Sequence, residues 1–335
     1  MEITRKRILI IAAALFLFAV AVVSGTVWMR GGKGTAVQEK IIFAVSRQPI
    51  SAPVYIALSR GYFRDEGLEV MLQPYTSGRD ALDSMIGGNA HFATVAETPV
   101  MFAALRGAKI CIVATIADSD SYIKIIGRRD RGISKPEDLS GKRIGVSLRT
   151  NGEFYLDSYL IFHYLDKGKV HVVDMKPEVT AAALEKGDID AAVTWEPYLT
   201  GIRRELDGNA TVLFDEDIYR MMWNIAVARS FARGNPGTIR KVLRALVRAK
   251  EFIARAPSES REIVAGYMKE SPISFEGYDF DVRLSEALLA ILDAEARWAI
   301  RSRYTGRTTV PDSLDLVCTG GLLDVDPFAV SIIRK

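Results

Sequence analysis

The sequence predicts an α/β protein of two similar doubly wound lobes, each a mainly parallel sheet with helices on its faces. Two observations carry that prediction. Strand-like apolar runs alternate with helix-patterned segments across short connections, which is the grammar of parallel sheets. In addition, Met85 to Glu97 (MIGGNAHFATVAE) matches Leu184 to Glu196 (LEKGDIDAAVTWE) at a constant offset of 99 residues. Each copy is a helix end, a glycine followed by Asn or Asp, an apolar strand, then a glutamate near a proline. Two copies of one unit imply two lobes. In open α/β sheets ligands sit beyond the carboxyl ends of the strands, so both copies offer a strand end to a shared cleft.

The elements follow in order. Ile41 to Val45 reads as a buried strand, Val54 to Arg60 as a helix closed by Gly61, and Leu68 to Leu72 as an alternating strand. A helix runs from Arg79 to Ile86 and stops at Gly87-Gly88, and Phe92 to Val95 is a strand. Thr98 before Pro99 predicts an N-cap with proline at the first helical position of a helix reaching Leu105. Ile110 to Ile116 and Ile123 to Ile126 are apolar strands. The pattern then restarts: strand Arg143 to Ser147, helix Thr150 to Tyr164, strand Val170 to Asp174, helix Val179 to Lys186, strand Ala191 to Thr194, and a turn at Glu196-Pro197. Ile225 to Arg229 is a returning strand. Helices follow at Thr238 to Ala254, Ser258 to Met268 and Asp281 to Ser302.

The N-terminus carries a separate signal. Arg5-Lys6-Arg7 precedes an uncharged run from Ile8 to Met29, long enough for a membrane span of roughly 20 residues. Residues 1–37 thus read as a signal or anchor with a short polar tether. The run is longer than the apolar core of a cleaved signal, although Ala19-Val20-Ala21 offers a cleavage site. Basic residues on the inner side leave the body outside the cytoplasm, anchored through residues 8–29. Residues 1–37 contribute +4 of the total charge of +3, so the remainder stands at −1. A near-neutral body gives no electrostatic footing for nucleic acid. Cys111 and Cys318 either pair in an oxidising compartment or remain two buried thiols. His91, His163 and His171 have no ligand spacing, so no metal site is expected.

Four stretches sharpen the picture: GYFRDEGLEV (Gly61 to Val70), GGNAHFATVAETPV (Gly87 to Val100), KPEDLSGKRIGV (Lys135 to Val146) and GDIDAAVTWEPY (Gly187 to Tyr198). In this order and spacing the chain, from about Ile42 to Trp298, resembles the nitrate, sulfonate and taurine family of ABC-transporter substrate-binding proteins. The resemblance implies a type II periplasmic-binding fold whose lobes are joined by two crossing strands, with Ile123 to Ile126 leading out and Ile225 to Arg229 leading back. The first lobe is then 40–126 plus 226–335 and the second 127–225. It further implies a monomer that takes a small-molecule ligand to a permease and ATPase complex, with no cofactor and no catalytic residues.

Strand-to-helix turns supply the candidate ligand-binding residues: Gln48, Ser77, Gly78, Glu97, Thr98, Thr150, Asn151, Gly152, Trp195 and Glu196. The first N–H groups of a helix lack internal partners and the dipole favours negative charge there, so converging helix starts form an anion site. Thr150 with Glu153 also reads as a capping box, and Trp195 as either core or an apolar wall. Glu97 and Glu196 either complement helix dipoles or face the ligand. If they face it, the expected ligand is an organic zwitterion or amine-bearing acid rather than an inorganic anion. Arg47 and Arg79 read as solvated surface, and Met221-Met222-Trp223 as hinge packing. Two other functions share this fold: a ligand-sensing subunit for a membrane partner, and a thiamine-pyrimidine synthase, which requires a reactive Lys, His and Cys set.

Overall fold

The computed structural model describes residues 38–216, 218–269 and 272–333. The apolar run 8–29 and the tether lie outside the described residues, among which no helix is long and apolar enough to cross a membrane.

The chain opens with strand β1 (Glu39–Ser46), whose Phe43 and Ala44 are fully buried. Helices α1 (Ala52–Ser59) and α2 (Tyr62–Asp65) follow, separated by Gly61. That glycine sits at φ +73°, a conformation costly for other residues, and so turns the chain. Next come β2 (Leu68–Tyr75), α3 (Gly78–Ile86), β3 (Phe92–Ala96), α4 (Glu97–Leu105) and β4 (Ile110–Ser119). Every residue of β3 and β4 is buried, as expected of strands covered on both faces. The second block holds β5 (Lys124–Arg128), β6 (Arg143–Val146), α5 (Asn151–Phe162), β7 (His171–Asp174), α6 (Thr180–Lys186), β8 (Ala191–Thr194), α7 (Tyr198–Leu206) and β9 (Ala210–Leu213). Strand β10 (Met221–Ala228) returns to the first sheet. It is followed by α8 (Arg229–Gly234), α9 (Pro236–Arg255), α10 (Pro257–Met268), α11 (Glu286–Arg301) and α12 (Gly320–Val325).

The two sheets have the same plan. Their strand orders are β2-β1-β3-β10-β4 and β7-β6-β8-β5-β9. In each, an earlier strand pairs in parallel with the strand of the repeated motif, β1 with β3 and β6 with β8. In each, one antiparallel strand then pairs with that motif strand, β10 with β3 and β5 with β8. The offset repeat therefore marks the central strand of both sheets. Lys124–Arg128 bonds into the second sheet along its whole length and Met221–Ala228 into the first. The chain thus changes sheet before Lys124 and before Met221, slightly earlier at each passage than the apolar runs suggest. Strand pairing sets those limits, and an isolated apolar run does not reveal its partner.

Several elements escape the sequence pattern. Helix α7 begins where only a turn is expected, and the short α2, β9, α8 and α12 have no counterpart in the prediction. Cys111 in β4 is joined to Cys318, which decides between the two readings of the cysteines in favour of a disulfide. It pins the C-terminal segment to β4, where the Cys318 N–H also donates to the Ile112 carbonyl at 2.8 Å.

Candidate ligand-binding site

The turns at the carboxyl ends of strands from both sheets surround one small cleft. Its wall is built by Gln48 after β1, Ser77, Gly78 and Arg79 at the start of α3, Ala96 and Pro99 at the start of α4, and Thr150 and Asn151 at the start of α5. The aromatic side chains of Tyr122, Trp195 and Trp223 complete it. The space open to a water-sized molecule is only about 20 Å³, far below the roughly 300–1,000 Å³ usual for small-molecule pockets, so the cleft as it stands is nearly filled by its own side chains.

The helix starts are held by local chemistry. Ser77 caps α3, accepting from the Asp80 N–H at 3.2 Å and donating to the Asp80 carboxylate at 2.8 Å. Gly78 is needed for close packing. A Cβ there would lie 2.9 Å from the Trp223 ring and 3.0 Å from the Val95 backbone. Thr150 caps α5 by accepting from the Gly152 N–H at 3.2 Å. The capping box expected with Glu153 is displaced by one residue, because Glu153 accepts from the Arg149 N–H rather than from Thr150. First-turn N–H groups lack intrahelical partners, so the starts of these two helices favour an anion beside them.

Three aromatic rings make the apolar part. Trp195 stacks on Tyr122 with centroids 6.4 Å apart and planes 15° apart, and Tyr122 leans on Trp223 at 6.3 Å. The Tyr122 hydroxyl donates to Gln48 Oε1, and burial pushes its pKa well above the ordinary value. Trp223 Nε1 donates to Ser51 Oγ at 3.0 Å. Trp195 is 4% exposed, yet its Nε1–H has no acceptor among the described residues. A buried donor left without a partner costs about 1–3 kcal/mol, a cost that an acceptor placed in the cleft would relieve.

Of the ten candidates, the structure brings Gln48, Ser77, Gly78, Thr150, Asn151 and Trp195 into the cleft wall, with Gly152 directly behind Thr150 and Trp195. It places the other three elsewhere. Helix α4 starts at Glu97 with Ala96 as N-cap, so Thr98 is inside the first turn and is not the cap. Its hydroxyl donates to Glu295 of α11. Glu97 is fully buried beneath the wall, accepting from the Tyr219 hydroxyl and from the Met222 N–H at 3.0 Å. Burial pushes its pKa up to about 7, against the lowering effect of those hydrogen bonds. Glu196 turns to the start of α7, accepting from the Thr200 N–H at 3.1 Å. The two glutamates thus serve the fold, and the premise that they face the ligand does not hold.

The residues that sequence reasoning missed are Arg79, Tyr122 and Trp223. Arg79 reaches across the cleft, donating to the Leu148 carbonyl at 3.0 Å. A signal for it exists in the sequence. A cation in the first turn of a helix opposes the helix dipole, so its presence there calls for a reason such as an anion nearby. Tyr122 and Trp223 lie where the chain passes between sheets, about 100 residues apart, and only tertiary structure joins them.

Two sheets of equal strand order, with a cleft where their carboxyl strand ends meet, define a bilobed type II periplasmic-binding fold. A family model described as NMT1/THI5 like matches residues 48–260, well over half the chain, and the protein belongs to that family. The taurine-binding periplasmic protein of Escherichia coli K12 is 25% identical over 218 residues, covering 62% of this chain and 65% of that protein. The 4-amino-5-hydroxymethyl-2-methylpyrimidine phosphate synthase of Aspergillus parasiticus is 24% identical over 297 residues, covering 82% and 84%. The crystal structure of the periplasmic aliphatic sulphonate binding protein SsuA from Escherichia coli superposes with a TM-score of 0.70. It is 18% identical and covers 83% of this chain and 97% of that one, a likeness of fold.

Proposed function

We propose that this protein is an extracytoplasmic solute-binding protein that closes its lobes on a small organic oxyanion and presents it to a membrane ABC importer. The observation that carries this reading is the buried Trp195 N–H without an acceptor, set between two capped helix starts and the Arg79 guanidinium. All of these are donors in the cleft wall, and Asp80, Lys176 and Glu178 line the adjoining space that shares Ser77, Arg79, Thr150 and Trp195. The donors gathered around the Trp195 N–H favour an anionic group at that end of the ligand. The aromatic rings accommodate an apolar body. The taurine and aliphatic sulphonates for which relatives are named share a sulfonate group, which supports an oxyanion at the bound end.

The same wall argues for binding over catalysis. It holds no Cys, His, Lys, Asp or Glu, so it offers no nucleophile–base pair of the ordinary kind. On this reading each lobe carries one of the two sheets, and they hinge at the passages before Lys124 and before Met221. The protein acts as a monomer, held at the membrane by residues 8–29.

The test is a thermal-shift screen of alkane- and arylsulfonates, carboxylates, taurine and nitrate, followed by calorimetry. A ligand that binds only the native state raises the melting temperature. The expected winner is a sulfonate or carboxylate recovered chemically unchanged. Failure of every oxyanion to bind, or conversion of a bound compound, would overturn the proposal.

A further inference from the structure

A second cavity lies wholly on the first sheet's side of the molecule and plays no part in the cleft. It offers about 270 Å³, against about 20 Å³ in the cleft, and Val113 and Ile239 belong to its apolar lining. Three features meet in its wall. Cys318 lines it and is partly exposed, whereas its disulfide partner Cys111 is fully buried in β4. Arg233 stands exposed at the rim and makes no ion pair among the described residues. Arg240 lies beside it, paired with Asp324 at 3.0 Å. Two guanidiniums against one carboxylate leave the cavity positively charged next to a sulfur atom's residue.

We propose that this cavity is a docking site for a small anionic thiol and makes Cys318 the point at which the Cys111–Cys318 bond is opened. The acid group of such a thiol is drawn to Arg233, and the same field favours the thiolate form that attacks. The thiolate sulfur bonds to Cys318 Sγ. The Cys111–Cys318 bond breaks, and its electron pair leaves on Cys111 Sγ, which takes a proton. The product is a mixed disulfide at Cys318 and a free thiol at Cys111; the entering thiol is the reductant. The attack is one-sided because Cys111 sits inside the sheet and only Cys318 reaches the cavity. Opening removes the covalent tie between the C-terminal segment and β4, leaving non-covalent contacts, among them the hydrogen bond from the Cys318 N–H to the Ile112 carbonyl and the Arg240–Asp324 ion pair.

The test uses the full chain in detergent with three probes: mercaptoethanesulfonate, mercaptoethanol and cysteamine. Each rate of opening is divided by the same thiol's rate on a small neutral disulfide, which cancels intrinsic reactivity. Acid-quenched samples are then peptide-mapped. The sulfonate should lead mercaptoethanol by on the order of tenfold at low ionic strength, with cysteamine slowest, and about 0.5 M salt should compress the differences. The adduct should be on Cys318. Arg233→Ala should bring the normalised rates together, and Arg233→Glu should reverse their order. Equal rates for the three thiols, an order unchanged by Arg233→Glu, or an adduct on Cys111 would each overturn the proposal.

Discussion

Replacing Glu97 with glutamine should flatten the dependence of stability on pH between about 5 and 8. Glu97 is fully buried and faces a second buried carboxyl, Glu295. Burial, then the charge of Glu97, pushes the Glu295 pKa well up, and its Oε2 has no partner among the described residues, so Glu295 keeps its proton. Glu97 is then the titrating member of the pair. Its folded pKa of about 7 stands above the ordinary 4.5. A raised carboxyl pKa means the folded state holds the proton more tightly than the unfolded chain does. The resulting stabilisation is complete below about pH 4.5 and is lost as pH rises through about 7. The gap of about 2.5 corresponds to roughly 3 kcal/mol. Asp118, also raised by burial, contributes in the same direction to both proteins and cancels in their difference. Glutamine cannot accept from both Tyr219 and Met222, so the variant carries a constant penalty of about 1–3 kcal/mol that does not affect the slope. The assay is urea unfolding of wild type and Glu97→Gln across pH 5–8. The difference in stability should change by roughly 3 kcal/mol over that range, wild type losing more as pH rises. Parallel curves would refute the buried-proton argument.

Four further outcomes follow from the site and the core. Trp195→Phe keeps the ring and removes the orphan N–H, so it should weaken binding of the best oxyanion about 10-fold or more while leaving the melting temperature of the free protein unchanged or higher; calorimetry and a thermal scan check this together. Arg79→Gln should lower oxyanion affinity and reduce its dependence on salt, whereas equal losses for neutral and anionic ligands would show that Arg79 only bridges the cleft to Leu148. Thr150→Ala should cost about 1 kcal/mol of stability through the lost cap, measured by denaturant titration without ligand. Replacing both Cys111 and Cys318 with serine removes a cross-link spanning 207 residues and should destabilise the protein by about 2–5 kcal/mol, read from the same titration under oxidising conditions.

Much of the fold is legible in the chain because its signals are local. Fully buried strands such as Phe92–Ala96 and Ile110–Ser119 stand out as short apolar runs bounded by glycine or polar turns. Gly61 and Gly187 announce helix ends because their positive φ disfavours other residues. The site was legible where it is made of turns: Ser77, Gly78, Thr150 and Asn151 are cap and first-turn residues, set by sequence neighbours within a few positions. The errors came from side-chain direction. Glu97 and Glu196 occupy matching places in the repeat, yet one points into the core between α4 and β10 and the other onto its own helix. A repeat fixes where a Cα sits, not which neighbour its side chain meets.

By itself, then, the sequence determined the α/β class, the doubling of the unit and the strand ends that carry the cleft, since hydrophobic period, caps and glycine punctuation act over a few residues. Tertiary structure decided what the cleft is made of chemically. Trp195, Tyr122 and Trp223 meet there only because the passages between sheets bring residues about 100 apart into contact. Arg79 becomes a cleft residue only because the second sheet supplies the Leu148 carbonyl opposite it. The disulfide was decided in the same way, by the long-range contact of Val317 with Ile112 that brings the C-terminal segment onto β4 within reach of Cys111. Contacts of that range carry no pattern along the chain, because they depend on how the sheets pack and not on the residues next in line.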